Sequence, residues 1–296
     1  MKTTLPHDDI AAFLRQEFGT IKSLTQMVEG EESQALSFVH KSESYVVRIN
    51  PSIEGFKKDN YAYTHFYSEI LTIPKVIKLG KIDSDHAFCI SEMIEGITMQ
   101  DSEPAAIDKL LIPLTNAWKE IGGTDISYST GFGEFDSLGN GTFKTWRSFI
   151  LSVLDYDWNS VVHIIDHELY KKLSDELKLL AARCPAKRSL VHGDFGANNI
   201  LVKHGTITAV IDWENALYGD PLYDIAIANF WRTWLVCMEK SAAYWEAELS
   251  EIDDYRLRIR CYQLRIALAE IFVNATDDDT EMVSWLQDRS RQVLEQ

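Results

Sequence analysis

Positive charge is what this sequence is shortest of: 29 lysines and arginines face 45 aspartates and glutamates, for a net charge of −16. That balance repels nucleic acid and anionic membranes, so neither is expected as a partner, and it suits a cationic small molecule or serves solubility alone. Cysteine is scarce too. Cys89, Cys184, Cys237 and Cys261 are widely spaced and form no C-x-x-C pair, which argues against a zinc site or disulfide framework and for reduced thiols in a cytoplasm. No apolar stretch approaches the roughly 20 residues that span a bilayer. The most apolar one, 225–238, is interrupted by Arg232, and residues 1–9 lack the apolar centre of a signal peptide. Neither G-x-x-x-x-G-K-[ST] nor G-x-G-x-x-G occurs, which removes the P-loop and the dinucleotide-binding crevice as nucleotide sites.

With no repeat, low-complexity tract or Pro/Gly/Ser linker, organisation must be read from a change of periodicity, and that change falls near Gly96. Before it, strands are expected at 34–40 and 44–50, a helix at 56–70, and strands at 75–82 and 86–93. After it the pattern is helical at 104–121, 144–155, 166–183, 221–240, 252–273 and 281–294. Two short β-runs, 200–203 and 207–213, interrupt the helices, joined by His204-Gly205 as a tight hairpin. The reading is an α+β chain of two lobes, a small β-rich one at 1–95 and a larger, mostly helical one at 96–296.

One segment carries chemistry. Leu190-Val191-His192-Gly193-Asp194-Phe195-Gly196-Ala197-Asn198-Asn199 spells H-x-D-x-x-x-x-N after an apolar strand, and the hairpin behind it ends in Ile211-Asp212-Trp213-Glu214. Phosphoryl transfer needs a carboxylate for the proton of the attacking hydroxyl and oxygen ligands that hold Mg²⁺ against the phosphates. Asp194 suits the first role, Asn199 and Asp212 the second, since a hairpin between those two would hold both ligands beside one ion. His192 is expected to pack and to hold the loop rather than to act as acid or base.

This segment resembles the catalytic loop of the aminoglycoside phosphotransferases, a branch of the protein-kinase-like fold, with Trp213 where protein kinases have Phe-Gly. Further segments, Glu29-Gly30-Glu31-Glu32-Ser33, Gly55-Phe56-Lys57-Lys58-Asp59, Thr130-Gly131-Phe132-Gly133 with Thr145-Trp146-Arg147, and Asn229-Phe230-Trp231-Arg232 with Trp234-Leu235, resemble the branch that phosphorylates hygromycin B over nearly the full length. The resemblance implies ATP or GTP as donor and an O-phosphotransferase that confers antibiotic resistance. It places Arg48 where kinases carry a phosphate-binding lysine, and Asp59 where an acid orients that cation. Arginine keeps the charge but differs in reach and planarity, and a solvated strand arginine is the other reading. Gly30 and Ser33 fall in the turn that covers the phosphates, and Glu92 and Met93 at a hinge whose main chain contacts the purine.

For the substrate side, Glu214, Asp224 and Trp234 are candidates, the acids for ammonium groups and the indole for a sugar ring. Each has a plainer reading as a surface acid or a core aromatic. Asp220-Pro221 suits the start of a helix that braces the loop. A monomer is expected. The alternative enzyme is a kinase of another small hydroxylated amine or sugar, of the choline-, homoserine- or fructosamine-kinase kind. A nucleotide-binding pseudokinase would be expected to have lost some of Asp194, Asn199 and Asp212.

Overall fold

The computed structural model describes residues 4–27 and 33–296, and the chain folds as two compact units. One comprises Met1–Ile97 with Leu201–Asn215, the other Thr98–Ile200 with Ala216–Gln296. The change of unit near Gly96 falls where the periodicity changes, but residues 201–215, assigned by a contiguous division to the second lobe, belong to the first unit.

In the first unit, α1 (His7–Phe18), β1 (Lys22–Gln26), β2 (Gln34–His40), β3 (Glu43–Asn50), α2 (Glu54–Phe66), β4 (Val76–Lys81) and β5 (Ala87–Glu92) follow in order. The strands form an antiparallel sheet in the order β1-β2-β3-β5-β4. Alternation along the strands sorts its two faces. Leu36, Phe38, Val47, Ile49, Phe88 and Ile90 pack against Ile10 and Leu14 of α1, while Ala87 and Cys89 meet Phe56 of α2. Arg48, between Val47 and Ile49, therefore projects to the α2 face.

Chain order continues through β6 (Ile97–Thr98), α3 (Pro104–Gly123), β7 (Phe132–Phe135), β8 (Gly141–Phe143), α4 (Trp146–Leu151), α5 (His167–Ala181), β9 (Ser189–Val191), β10 (Ile200–Lys203), β11 (Thr206–Val210), β12 (Leu217–Gly219), α6 (Leu222–Trp231), α7 (Val236–Leu249), α8 (Tyr255–Thr276) and α9 (Thr280–Leu294). The β10–β11 turn is His204 at φ 52° and Gly205 at φ 77°, the two left-handed residues that a two-residue hairpin favours. In the second unit β8-β7-β12-β9 make a small sheet among helices. Gly219 belongs there because a Cβ would lie 2.2 Å from the Trp146 ring. No helix among the described residues is long and apolar enough to cross a membrane.

The expected single helix at 221–240 is two helices, α6 and α7, broken at residues 232–235. The reason lies in another part of the chain. Arg289 of α9 donates from Nε to the Phe230 carbonyl and from Nη2 to that of Asn229, both at 2.7 Å, and so satisfies carbonyls that a continuing helix would have used. Arg232 then grips Glu239 of α7 through two hydrogen bonds at 2.7 and 2.8 Å.

At the start of α5, Asp166 Oδ1 accepts the backbone N–H groups of Glu168 and Leu169, both at 3.0 Å. Asp166→Ala should lower stability by about 1 kcal/mol, read as a lower urea midpoint at constant slope. An unchanged midpoint would show the cap to be idle.

Candidate active site

The H-x-D-x-x-x-x-N loop leaves β9, whose Leu190 and Val191 are buried, and is tied down on three sides. Gly193 turns at φ 82°, a conformation that suits glycine. This aims successive backbone amides at one group: His192 N–H donates to Asp224 Oδ2 at 3.0 Å and Gly193 N–H to Asp224 Oδ1 at 2.9 Å. The Asp194 N–H donates to His192 Nδ1 at 3.3 Å, so the fully buried His192 holds the loop as expected. Asn199 closes it, its Nδ2 donating to the Asp194 carbonyl at 2.9 Å and to Asp194 Oδ2 at 2.7 Å.

The Asp194 carboxylate is thus oriented by the Asn199 amide. Because that amide nitrogen is committed to Asp194, the Asn199 carbonyl oxygen is the end that can face a metal. Gly196 keeps the loop tight, since a Cβ there would stand 2.3 Å from Asn198 Oδ1.

Asp224 corrects one expectation. Fully buried in α6, with an oxygen on each of two loop amides, it braces the loop instead of meeting an ammonium group. Burial pushes its carboxyl up to about 7, against the two amides that favour the anion, and the nearby Asp194 charge pushes the same way as burial.

In the first unit, Arg48, Asp59, Asp212 and Trp213 form a second group. Arg48 Nη2 pairs with Asp59 Oδ2, Arg48 Nη1 lies 3.9 Å from Asp212 Oδ1, and the guanidinium sits over the Phe56 ring at 5.2 Å. Burial lowers the affinity of Arg48 for its proton, but the charges of Asp59 and Asp212 and the hydrogen bond to Asp59 outweigh it and the pKa rises above the ordinary arginine value. Asp59 does a second job that the sequence did not disclose: its Oδ1 accepts the Trp213 N–H at 2.8 Å. It thereby fixes the chain one residue beyond Asp212, which adopts φ 65°. The expected Arg48 to Asp59 pair is present, and the same acid anchors the segment that follows Asp212.

The remaining candidates fall in different places. Gly30 lies outside the described residues. Ser33 Oγ accepts from Asn50 Nδ2 at 3.3 Å. Glu92 N–H donates to Lys75 O at 3.0 Å and Met93 N–H to Ser44 O at 3.1 Å, so a purine contact through these two amide protons is not available and only their carbonyls could serve. Glu214 lies against Gly55 at the start of α2, and its carbonyl accepts from Lys58 Nζ. Trp234 is 51% exposed and meets Trp285 edge-on at 5.0 Å, while Trp231 stacks on Trp285 at 5.3 Å and 7°. Trp285, on α9, completes this aromatic wall. Its separation of some 50 residues from the other two tryptophans hid it from the sequence reading.

Comparison with known proteins agrees with this arrangement. The profile of the phosphotransferase enzyme family matches residues 23–257. A hygromycin-B 4-O-kinase of Escherichia coli is 39% identical over 291 residues, 97% of this chain and 85% of that protein. A thermostable mutant of aminoglycoside phosphotransferase APH(4)-Ia, crystallised as a ternary complex with AMP-PNP and hygromycin B, superposes with a TM-score of 0.91 at 38% identity, covering 97% of this chain and 98% of that one. The GDP complex of an aminoglycoside 2′-phosphotransferase-IIIa, at 16% identity and a TM-score of 0.71 over 98% of both chains, shares the fold. The expected α+β, kinase-like fold is what these structures have in common.

Proposed function

Because the chain belongs to the phosphotransferase enzyme family, we propose that it transfers the γ-phosphoryl group of ATP to a hydroxyl of an aminocyclitol antibiotic, hygromycin B foremost, and so confers resistance. The observation that carries this reading is the Asp194 carboxylate, its Oδ2 held at 2.7 Å by Asn199 on a loop braced by a buried acid. A carboxylate fixed in one orientation can take the proton of an attacking alcohol without reorganising, which lowers the barrier where charge develops.

In this proposal Asp194 is the base, and Arg48, oriented by Asp59, steadies the nucleotide phosphates together with Gly30 and Ser33. Asn199 and Asp212 are the ligands for Mg²⁺. An amide oxygen and a half-buried carboxylate are the hard oxygen donors such an ion takes. When bound, the ion would screen the charge of the phosphates. The first unit would carry the nucleotide, and the second the base and the antibiotic. ATP is the donor we favour over GTP, and the enzyme would work as a monomer in the cytoplasm. The surplus of acids supplies long-range attraction for a polycationic antibiotic.

The deciding assay mixes the protein with ATP, Mg²⁺ and a panel of hygromycin B, other aminoglycosides, choline, homoserine and a fructosamine, with the products identified by mass spectrometry. A phosphorylated antibiotic is expected. Turnover confined to the other alcohols would overturn the substrate assignment in favour of the alternative kinase.

The tryptophan wall gives a second test. A sugar ring stacked on an exposed indole contributes on the order of 1 kcal/mol, so Trp234→Ala should raise the KM for the antibiotic about fivefold with kcat little changed. Unchanged KM would remove Trp234 from the substrate side.

A further inference from the structure

One buried cation of the first unit plays no part in the chemistry set out above. Lys58, on α2, is 8% exposed, and a lysine ammonium stays buried only where acceptors hold it. One of its acceptors is main chain: Nζ donates to the carbonyl of Glu214, two residues beyond Asp212.

Lys58 does not act alone on that stretch. Gly55, Lys58, Asp59 and Phe66 share one face of α2 by their helical spacing, and all four meet residues 213 and 214. A Cβ on Gly55 would run into Glu214 Oε2. Asp59 Oδ1 accepts the Trp213 N–H at 2.8 Å, and the Phe66 ring centre lies 5.9 Å from that of Trp213. Ahead of Asp212, the Val210 N–H donates to the Thr72 carbonyl at 2.9 Å, and Trp213 Nε1 donates back to the Val210 carbonyl at 3.1 Å.

These ties bear on Asp212, which adopts φ 65°. The left-handed region is strained for a residue with a side chain and persists only where the surroundings over-determine it. Trp213 and Glu214 follow directly in the chain, so slack in either passes first to the Asp212 backbone and from there to its carboxylate.

We propose that Lys58 is a positioning residue for the metal ligand Asp212: by clamping the Glu214 carbonyl to α2, it keeps Asp212 in the left-handed conformation in which its carboxylate takes the ion. The proposal rests on the reading of Asp212 as a ligand for Mg²⁺. Its effect is separable from nucleotide binding, because Arg48 is held by the other oxygen of Asp59 and does not depend on Lys58.

The test titrates Mn²⁺, a paramagnetic substitute for Mg²⁺, into the intact protein with a non-hydrolysable ATP analogue, reading the free ion by electron paramagnetic resonance. Binding of the analogue is measured separately with metal chelated. Lys58→Met should weaken Mn²⁺ binding about tenfold, the lower end of what loss of a ligand's support costs, and leave metal-free binding of the analogue within about twofold. Lys57→Met, at an exposed neighbour paired with Glu54, should change neither. Where Lys58→Met shows no cooperative thermal transition, Lys58→Gln, whose shorter side chain stops short of the carbonyl, is read in the same way. The proposal is overturned if Mn²⁺ binds the Lys58 variant as tightly as wild type, or if metal-free binding of the analogue weakens as much as metal binding does. Asp212→Ala tells the two levels apart: Mn²⁺ affinity that survives it removes the metal reading and the proposal together, whereas affinity lost there but kept in the Lys58 variant removes the proposal alone.

Discussion

Replacing Asp194 by alanine lowers kcat by about 10²–10⁴-fold, while the KM for nucleotide stays within about threefold. The asymmetry follows from where the carboxylate acts. Its Oδ2 is committed to Asn199 Nδ2 at 2.7 Å, and the group belongs to the second unit, whereas the cation assigned to the nucleotide, Arg48, is held in the first unit by Asp59. Losing the carboxylate removes an interaction needed when the acceptor hydroxyl gives up its proton and leaves the nucleotide-holding group intact. Asn199→Ala should also lower kcat, because Asp194 then loses its orienting partner, but it should raise the requirement for Mg²⁺ as well, which Asp194→Ala should not. Single-turnover measurements over a range of Mg²⁺ separate the two. If Asp194→Ala keeps its turnover, the base assignment is wrong and the loop binds without acting chemically.

How far the sequence could be read depended on the range of the forces involved. Strands β2 and β10 and the turn His204-Gly205 are set by alternation and by local backbone preference, and they lie where the pattern put them. The helix α1 was missed because its buried set is only Ile10, Ala11 and Leu14 among acids and polar residues, a face too narrow to stand out. The break between α6 and α7 was invisible because the groups that make it, Arg289 and the carbonyls of Asn229 and Phe230, are some 60 residues apart.

In the candidate site, spacing and residue chemistry single out Asp194 and Asn199, whereas Arg48 and Asp59 were pointed to by the family resemblance. What pins them was not legible: the tie from Asp59 to the Trp213 amide and the seat of the loop on Asp224. Both are bonds from a side chain to a backbone N–H, and a sequence gives no sign of where a backbone amide points. Hence Asp224 looked like a ligand for a cation, although it is a support with no access to one.

That support carries the other large expectation. Asp224→Ala leaves the His192 and Gly193 amides buried without acceptors, and at about 1–3 kcal/mol for each orphaned donor the fold should lose about 2–6 kcal/mol. Where the variant folds, kcat should fall on the order of a hundredfold, since a displacement of about 1 Å at a reacting group has that effect, with substrate KM values little changed.

The pH dependence isolates the residue. Its carboxyl, ordinarily near 3.8, is raised to about 7 in the folded protein, so between those values the native state holds a proton that the unfolded chain has released. Stability from this group is therefore complete below the unfolded value, declines as pH rises, and is gone once pH passes about 7. The slope is at most about 1.4 kcal/mol per pH unit. Asp224→Asn cannot titrate, so the gap in unfolding free energy between wild type and this variant should shrink steadily from pH 5 to pH 7 and then level. Parallel profiles across that window would show that Asp224 is ionised throughout, with its two amide donors outweighing burial, and that the loop rests on a permanent anion.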